Sequence, residues 1–445
     1  MSQYRAYPAY KDSGVEWIGL VPEHWEVKRL KHLISQCQNG VWGDDPLEDG
    51  SDTLCIRVAD FDRDNNVVIY NPSTYRQITK EHQDSRLVSK GDILLEKSGG
   101  GAQTLVGANV RYLGEEPAVC SNFVAVIKPS KKAESAWLNY LMASMYALKI
   151  NLRSIKQSTG IQNLDSEQYL DEGVAAPSLD EQATIATALD RETARIDALI
   201  EKKTRFIELL KEKRQALITH AVTKGLDPNV KMKDSGVEWI GQVPVHWEVK
   251  PICRVTSVND DVLPDSTTDD TPIRYVDISS VGYMEGIKQA SDMCFADAPS
   301  RARRKASSGD VIISTVRTYL KAVAAVTDEY ADCVFSTGFA VLRARHLDRS
   351  FLKWMVLNEL LIQAIEAHSE GLSYPAINAS ALVKLKSVIP PPEEQASIAA
   401  TLDRETARID ALIGKAEQSI TLLKERRSAF ITAAVTGQID LRGKQ

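Results

Sequence analysis

One segment of the chain has the residue types of a metal-dependent hydrolytic site, but its spacing is a poor match. Asp92, Glu96 and Lys97 loosely resemble the carboxylate and lysine set of a nuclease. The same pattern recurs later in the chain with Ser314 in place of Glu96, so the second copy lacks one carboxylate. Ser98 lacks the G-x-S-x-G context that exposes a nucleophilic serine. No catalytic set is therefore present in both copies.

Other short motifs also fall short of catalysis. Asn71-Pro72-Ser73-Thr74 lacks the third proline and the stacking aromatic residue of the N-P-P-aromatic motif of adenine methyltransferases. Gly99-Gly100-Gly101 is not followed by the G-K-[ST] that a phosphate loop requires. His24 and His246 each stand beside a tryptophan, and we interpret both as packed, hydrogen-bonded side chains rather than ligands or bases. These patterns predict a chain without catalytic activity.

The remaining polar segments fit DNA recognition. Small residues allow a backbone to approach a ligand closely, Arg is the commonest specific partner of guanine, and Lys, Ser, Gln and Tyr can contact bases or phosphates. The alternative interpretation, a solvated face with a structural turn, stays open for each residue. The candidate DNA-binding residues are Lys97, Ser98 and Gln103 after the first G-D strand, Arg301, Arg303 and Arg304 in a basic run before the second G-D strand, and Arg317, Tyr319 and Lys321 in the 315–321 segment after it.

An internal duplication positions these segments. Lys11–Gly19, K-D-S-G-V-E-W-I-G, recurs word for word at Lys233–Gly241, and the match continues through V-P and H-W-E-V-K. Leu189–Ile200, L-D-R-E-T-A-R-I-D-A-L-I, recurs unchanged at Leu402–Ile413. The sequences between the paired blocks diverge. Constant ends around variable middles indicate one scaffold that carries two different working surfaces.

Each second block is predicted to be a long helix. The first opens at Ser178 and Glu181, which we interpret as a capping box, and the second opens after Pro390-Pro391-Pro392. Lys224-Gly225 and Gly437 provide stop signals. Apolar residues four and three apart form a heptad stripe in both helices. The predicted pairing residues are Leu189, Ile196, Ile200, Leu210 and Leu217 in the first helix, and Leu402, Ile409, Ile413, Leu423 and Phe430 in the second.

We expect the two stripes to pack on each other as an antiparallel, coiled-coil-like pair with an approximate two-fold axis. A helix of about 42 residues spans on the order of 60 Å, which is close to two turns of DNA. The stripe could instead be ordinary core or a homodimer interface.

The fold class expected is α+β, with two mixed α/β domains separated by the long helices. The expected boundaries are 1–175 for the first domain, 176–225 for the first helix, 226–390 for the second domain and 391–445 for the second helix and tail. Each domain shares a G-D-[IV]-[IL] landmark, at Gly91 and at Gly309, and ends in a helical stretch, 136–150 and 351–367. Predicted strands are 53–59, 67–70, 92–95 and 123–127 in the first domain, and 273–278, 310–314, 322–326 and 339–342 in the second.

Composition sets further limits. The 445 residues are 43% hydrophobic and 26% charged, which is ordinary for a globular protein. A net charge of −6 argues against a protein that holds DNA by charge alone, and leaves room for partners that share the contact. No apolar run is long enough for a membrane span, no signal peptide is evident, and the six cysteines are scattered. We therefore expect a cytoplasmic protein with small, buried, reduced cysteines.

Together, the two K-D-S-G-V-E-W-I-G…H-W-E-V blocks and the two E-Q-x-x-I-A…L-D-R-E-T-A-R-I-D-A-L-I helices resemble the specificity subunit of type I restriction–modification systems. The Gly225–Val230 linker and both G-D landmarks fit as well, and the resemblance covers nearly the whole chain. It implies two target recognition domains, each of which reads half of a split asymmetric double-stranded DNA site in the major groove, and helices that fix the spacer.

The resemblance also implies partners. Two modification subunits would dock on the helices and carry S-adenosylmethionine, and two restriction subunits would use ATP and Mg for translocation and cleavage. No cofactor and no metal is expected in this chain, and no membrane contact. Two other functions stay open at this point: a non-enzymatic scaffold or adaptor that uses its paired helices, and an autonomous nuclease.

Overall fold

The computed structural model describes residues 5–100, 104–158 and 160–443. Contacts divide the chain into two compact units. Unit 1 comprises Met1–Lys203 and Gln418–Gln445, and unit 2 comprises Thr204–Glu417. Unit 1 thus contains both ends of the chain. Each of the two long helices begins in one unit and ends in the other.

The two predicted long helices are present, as α4 and α8. The helices of the described residues are α1 (Lys80–Arg86), α2 (Ser135–Ala147), α3 (Ser166–Leu170), α4 (Leu179–Lys224), α5 (Arg349–Val356), α6 (Glu359–Ala367), α7 (Ala379–Leu382) and α8 (Pro392–Val435). The helical stretch expected at 351–367 is present as two helices, because the helix is interrupted between α5 and α6. The Asn358 side chain accepts a hydrogen bond from the Leu360 backbone N–H and so caps a new helix.

Unit 1 is built on one large mixed sheet. Its strands are β1 (Tyr10–Asp12), β2 (Leu20–Pro22), β3 (Glu26–Arg29), β4 (Ile34–Asn39), β5 (Thr53–Ile56), β6 (Phe61–Asp62), β7 (Val67–Val68), β8 (Tyr75–Arg76), β9 (Ile93–Glu96), β10 (Ser98–Gly99), β11 (Asn109–Arg111), β12 (Ala118–Cys120), β13 (Val124–Pro129), β14 (Ile155–Ser158), β15 (Ile161–Leu164) and β16 (Gly173–Ala176). The large sheet has the order β4-β13-β9-β11-β7-β6, and smaller sheets have the orders β12-β5-β8 and β10-β15-β14. Strand β3 pairs with β16.

Unit 2 repeats this plan with a different distribution of strands. They are β17 (Met232–Asp234), β18 (Gln242–Pro244), β19 (Glu248–Pro251), β20 (Thr256–Val258), β21 (Asp261–Val262), β22 (Pro272–Val276), β23 (Val281–Gly282), β24 (Gly286–Ile287), β25 (Ser291–Cys294), β26 (Ala302–Lys305), β27 (Val311–Ser314), β28 (Val323–Ala325), β29 (Val334–Ser336), β30 (Phe339–Ala344) and β31 (Lys386–Ile389). Its larger sheets have the orders β20-β30-β27-β28 and β21-β26-β29-β22-β25. All eight strands predicted from the sequence overlap observed ones.

The core of each unit includes the start of one long helix and the end of the other. In unit 1, Leu189 near the start of α4 lies in one hydrophobic cluster with Phe430 near the end of α8. In unit 2, Ile218 near the end of α4 clusters with Leu402 near the start of α8. This pairing of starts with ends makes the two helices antiparallel within each unit, as expected.

The heptad stripe lies on the covered side of both helices. All ten predicted pairing residues are buried or partly buried. An ion pair flanks the stripe in each unit, at positions that match between the copies. Arg427 Nε lies 2.9 Å from Asp197 Oδ1 in unit 1, and Arg214 pairs with Asp410 in unit 2. The duplicated sequence thus makes the same polar contact twice.

The cysteines depart in part from the expectation. All six are free, and Cys55, Cys120 and Cys333 are buried, but Cys253 and Cys294 are exposed. Their positions in a turn and on the outer strand β25 leave the thiols open to solvent. Among the described residues, the helices include none with the length and apolar character needed to cross a membrane.

Candidate nucleic-acid interface

In each unit one glutamate at the start of a long helix accepts hydrogen bonds from the H-W pair of the constant block, and we call this contact the polar lock. In unit 1 the Glu181 carboxylate accepts hydrogen bonds from Tyr7 Oη (2.9 Å) and Trp25 Nε1 (3.2 Å), and lies 2.8 Å from His24 Nε2. Of the two interactions of the capping box predicted at Ser178 and Glu181, only the one made by the Ser178 side chain is therefore present. Ser178 Oγ accepts from the Glu181 N–H at 3.4 Å, but the carboxylate bonds to these distant residues instead.

The same lock recurs in unit 2. Glu394 accepts from Trp247 Nε1 at 3.0 Å and lies 2.6 Å from His246 Nε2. Both histidines of the constant blocks are thus hydrogen-bonded, as predicted. The repeated H-W-E-V and E-Q sequences are explained by this contact, which holds a domain at a fixed place on its helix.

The landmark aspartates also have structural partners. Asp92 Oδ2 lies 2.9 Å from Lys128 Nζ, and Asp310 Oδ2 lies 2.8 Å from Arg343 Nη2 on the adjacent strand β30. Glu96, which is 2% exposed, pairs with Arg63 Nη2 at 2.7 Å. Burial raises the pKa of Glu96, and the Arg63 charge opposes that shift. These carboxylates are therefore held by cations of the chain itself.

The candidate segment of unit 1 follows strand β9 and leads into strand β10. Lys97 Nζ donates to Asn39 Oδ1 at 2.8 Å, and Ser98 Oγ donates to Asn163 Oδ1 at 2.6 Å. Gln103 lies outside the described residues. Gly100 has a φ of +62°, and a Cβ there would lie 2.7 Å from the Thr104 carbonyl oxygen, so this position requires glycine.

A hairpin supports this segment from the side. Strands β14 and β15 form it, and β15 pairs with β10 in a register that places Ser98 opposite Asn163. The sequence analysis did not identify this hairpin as part of the site. Its signal is a repeated S-x-G-[IL] motif, at Ser158–Ile161 and Ser369–Leu372, in which Gly160 and Gly371 both have positive φ.

In unit 2 the candidate residues lie on two segments, and they have different environments. The basic strand β26 follows Arg301, which is exposed, and the guanidinium of Arg303 lies 4.9 Å from the centre of the Phe295 ring. Arg304 lines a cleft together with Thr315, so the structure brings the two predicted segments to one place.

The second segment of unit 2 is a tight loop after strand β27. Arg317 has a left-handed backbone, and its guanidinium lies 5.1 Å from the centre of the Tyr374 ring. Tyr319 is 53% exposed. Lys321 Nζ lies 2.7 Å from Glu359 Oε1 on helix α6 and near the Tyr283 ring, so its charge is already matched within the unit.

The 369–379 segment completes the surface of unit 2, and sequence analysis missed it. Backbone bridges join Glu370 to Ala376 and Ala376 to Val316, so this segment packs on the loop after β27 as β15 packs on β10. Leu372 and Tyr374, at its outer edge, are 105% and 66% exposed. Apolar and aromatic side chains beside Arg317 are typical of surfaces that contact nucleic acid.

Comparison with known proteins agrees with the architecture. Residues 22–209 match the family described as the type I restriction modification DNA specificity domain. The type I restriction enzyme MjaVIII specificity subunit of Methanocaldococcus jannaschii is 23% identical over 435 residues, which cover 95% of this chain and 94% of that protein.

Two solved structures have the same fold. One comes from a study of complex assembly and conformational transition of the type I R-M system, with a TM-score of 0.69, 18% identity and coverage of 96% of this chain and 99% of that one. The other is the HsdS subunit from Thermoanaerobacter tengcongensis, with a TM-score of 0.54, 18% identity and coverage of 94% and 98%. The duplicated blocks, the paired helices and these matches agree: residues 22–209 match the DNA specificity domain family, and the chain as a whole is similar in sequence and fold to type I specificity subunits.

Proposed function

We propose that unit 1 and unit 2 each read one half of a split, asymmetric double-stranded DNA site. The observation that carries this proposal is one scaffold with two unlike surfaces. Glu181 and Glu394 attach the domains to the helices through matching Trp and His contacts, whereas the candidate loops of the two units differ in sequence and in structure. A repeated scaffold with identical surfaces would instead read a palindrome.

The two surfaces offer different chemistry to DNA. Unit 1 presents a glycine-rich loop beside Lys97, where backbone and hydroxyl groups can approach bases closely. Unit 2 presents arginines and aromatic rings, with Arg317 stacked on Tyr374 and Arg304 in a cleft. Because hydrogen-bond donors and acceptors in the major groove identify the base pair, unlike donors select unlike half-sites.

The chain itself performs no catalytic step in this proposal. Asp92, Glu96 and Asp310, the carboxylates closest to a nuclease pattern, are engaged by Lys128, Arg63 and Arg343. Methyl transfer and cleavage then belong to partners: S-adenosylmethionine on modification subunits, and ATP and Mg on restriction subunits. The complex works on cellular DNA, which places it in the cytoplasm.

The long helices offer two matching surfaces for modification subunits. Exposed leucines occur at equivalent positions of the two copies, with Leu199 and Leu422 in unit 1 and with Leu412 and Leu209 in unit 2. A contiguous exposed apolar patch marks a docking surface, and we assign these leucines to the centre of such a patch in each unit. Two equivalent surfaces fit two modification subunits, each of which recruits one restriction subunit. Leu199→Asp with Leu422→Asp should release one modification subunit in native mass spectrometry, and release of both or neither would contradict this stoichiometry.

The long helices also set the distance between the two half-sites of the DNA. Helix α4 has 46 residues, or about 69 Å at 1.5 Å per residue, and both units are built partly from it. The distance between two half-sites is then fixed by helices rather than by a flexible linker.

The direct test is to purify the chain with a modification subunit and map methylated adenines in substrate DNA at single-base resolution. We expect one bipartite, asymmetric motif with a constant spacer. Methylation without a sequence motif, or the absence of methylation, would contradict the proposal. The isolated chain, incubated with DNA and Mg²⁺, should leave the DNA intact, and clean cleavage would overturn the non-catalytic assignment.

A further inference from the structure

A polar cleft opens in unit 2 between the basic strand β26 and the 369–379 segment. Its volume is about 450 Å³. The polar groups that line it include Asn259, Arg304, Thr315, Thr337, Glu370 and Asn378. Two of these groups are already used: Asn259 Oδ1 accepts from the Val341 N–H, and Thr315 Oγ1 donates to the Gly338 carbonyl oxygen. The charged groups Arg304 and Glu370 remain.

Arg304 is an unmatched cation. Within residues 5–100, 104–158 and 160–443, its guanidinium makes no hydrogen bond and no ion pair, and its Nε is buried without an acceptor. Burial lowers the pKa of Arg304 from its usual value, and no neighbouring carboxylate opposes that shift. A buried donor without a partner is costly, and an acceptor supplied from outside the chain would remove that cost.

The duplication provides an internal control for this observation. Arg86 stands six residues before Asp92, as Arg304 stands six residues before Asp310. Arg86 Nη1 donates to the carbonyl oxygens of Asn39 (2.6 Å) and Gly40 (3.1 Å), so unit 1 uses this arginine to hold its own backbone. Arg86 Nε, like Arg304 Nε, is buried without an acceptor, so the two arginines differ in their Nη groups. In the described part of unit 2 the Nη groups of Arg304 make no such bonds, and they are free to face a ligand.

The second charge in the cleft indicates which ligand fits. Glu370 also lines the cleft, and within the described residues it has no cationic partner, since Arg304 lies beyond 4.0 Å from it. A carboxylate disfavours a phosphate group at the same place. A G·C base pair, in contrast, presents acceptors on guanine and an amino donor on cytosine in the major groove.

On the basis of the proposed function, we propose that Arg304 and Glu370 read one G·C base pair in the half-site of unit 2. Arg304 donates to guanine O6 and N7, and Glu370 accepts from cytosine N4. The 369–379 segment, with its exposed edge at Leu372 and Tyr374, carries Glu370 to the groove. This assignment makes the two residues specificity determinants rather than general phosphate contacts.

The test compares the methylation motifs of complexes that contain the wild-type chain or the variants Arg304→Ala, Arg304→Lys and Glu370→Gln. We expect the arginine variants to lose preference at one G·C position of a single half-site, by about 5- to 150-fold. Lysine retains the charge but not the bidentate geometry, so it should fail as alanine does. Glu370→Gln should weaken the preference at the same position. Arg274→Ala, a control on strand β22 of the same sheet whose guanidinium lies 5.9 Å from the centre of the Tyr330 ring, should leave the motif unchanged.

The outcomes separate this inference from the proposed function. If the wild-type complex methylates no bipartite site, the proposed function fails. If it does and the Arg304 variants keep the wild-type motif, the inference alone fails. A phosphate contact would show as uniform weakening across sequences, a smaller salt dependence of DNA binding and rescue by lysine, and this result would also overturn the inference. Thermal unfolding controls for folding, and we expect Arg304→Ala not to lower the transition temperature, because the side chain has no partner to lose and its buried Nε has no acceptor.

Discussion

Removal of the Glu181 carboxylate should lower the stability of unit 1 more than removal of the Glu394 carboxylate lowers the stability of unit 2. Glu181→Ala leaves two buried donors without an acceptor, since Tyr7 is 4% exposed and Trp25 is fully buried. In unit 2, Glu394→Ala leaves only the Trp247 indole N–H without its partner. The two substitutions are chemically identical and occur at equivalent positions of one chain.

The magnitude follows from the number of stranded donors. An unsatisfied buried donor costs about 1–3 kcal/mol, so we expect about 2–5 kcal/mol for Glu181→Ala, with some relief through relaxation. His24 adds little, because its side chain is 46% exposed and water can replace the carboxylate. The Glu394 side chain is 40% exposed, so water can enter when it is removed and accept a hydrogen bond in its place. We therefore expect about 1–2 kcal/mol for Glu394→Ala.

Hydrogen–deuterium exchange measured by mass spectrometry reports each unit separately, which a single unfolding transition does not. The relevant peptides contain β3 (Glu26–Arg29) in unit 1 and β19 (Glu248–Pro251) in unit 2. Glu181→Ala should accelerate exchange in the first peptide only, and Glu394→Ala should accelerate exchange in the second to a smaller extent. Equal effects, or a larger effect of Glu394→Ala, would refute the role assigned to the buried donors.

Three further predictions concern the helices and the loop of unit 1. A double-mutant cycle with Asp197→Ala and Arg427→Ala should give a coupling of about 1 kcal/mol in urea unfolding, because Arg427 is only 11% exposed; zero coupling would mean that the ion pair does not hold the helices. Gly100→Ala, which forces a Cβ against the Thr104 carbonyl oxygen, should slow methylation while preserving the motif of the unit 2 half-site; an unchanged rate would place this loop away from DNA. An insertion of about four residues in the middle of α4, roughly one helical turn, should change the spacer of the methylated motif, and a constant spacer would exclude the helix as its determinant.

The elements that sequence predicted well are those whose signal is local or repeated. The stripe from Leu189 to Leu217 follows a heptad repeat. Such a repeat predicts which side of the helix packs against a partner. The G-D landmarks precede buried strands in both copies, because a short apolar run after a turn has few other structures available. The duplication strengthened each of these predictions, because the same pattern occurs in both copies.

The errors come from partners distant in sequence. Glu181 fits a capping box locally, but Trp25, which is 156 residues away, and Tyr7 take its carboxylate in the folded unit. Similarly, no local signal around Lys321 indicates that Glu359 of helix α6 pairs with it. The predicted DNA contact of Lys321 stays a prediction. No pattern of spacing along the chain encodes these pairs.

The hairpin segments were missed for a different reason. Each S-x-G-[IL] motif is short and polar, and its meaning depends on the neighbouring strand or loop that it pairs with. Comparison of the two variable regions with each other, rather than of the constant blocks alone, would have revealed it.

The central claim is that each unit reads its own half-site, and a segment exchange tests it most directly. Residues 31–175 are replaced by the corresponding segment of a relative with a different specificity, and methylated adenines are mapped at single-base resolution. The account predicts that one half of the bipartite motif changes to that of the relative, while the other half and the spacer stay the same. A change in both halves, or in neither, would contradict it.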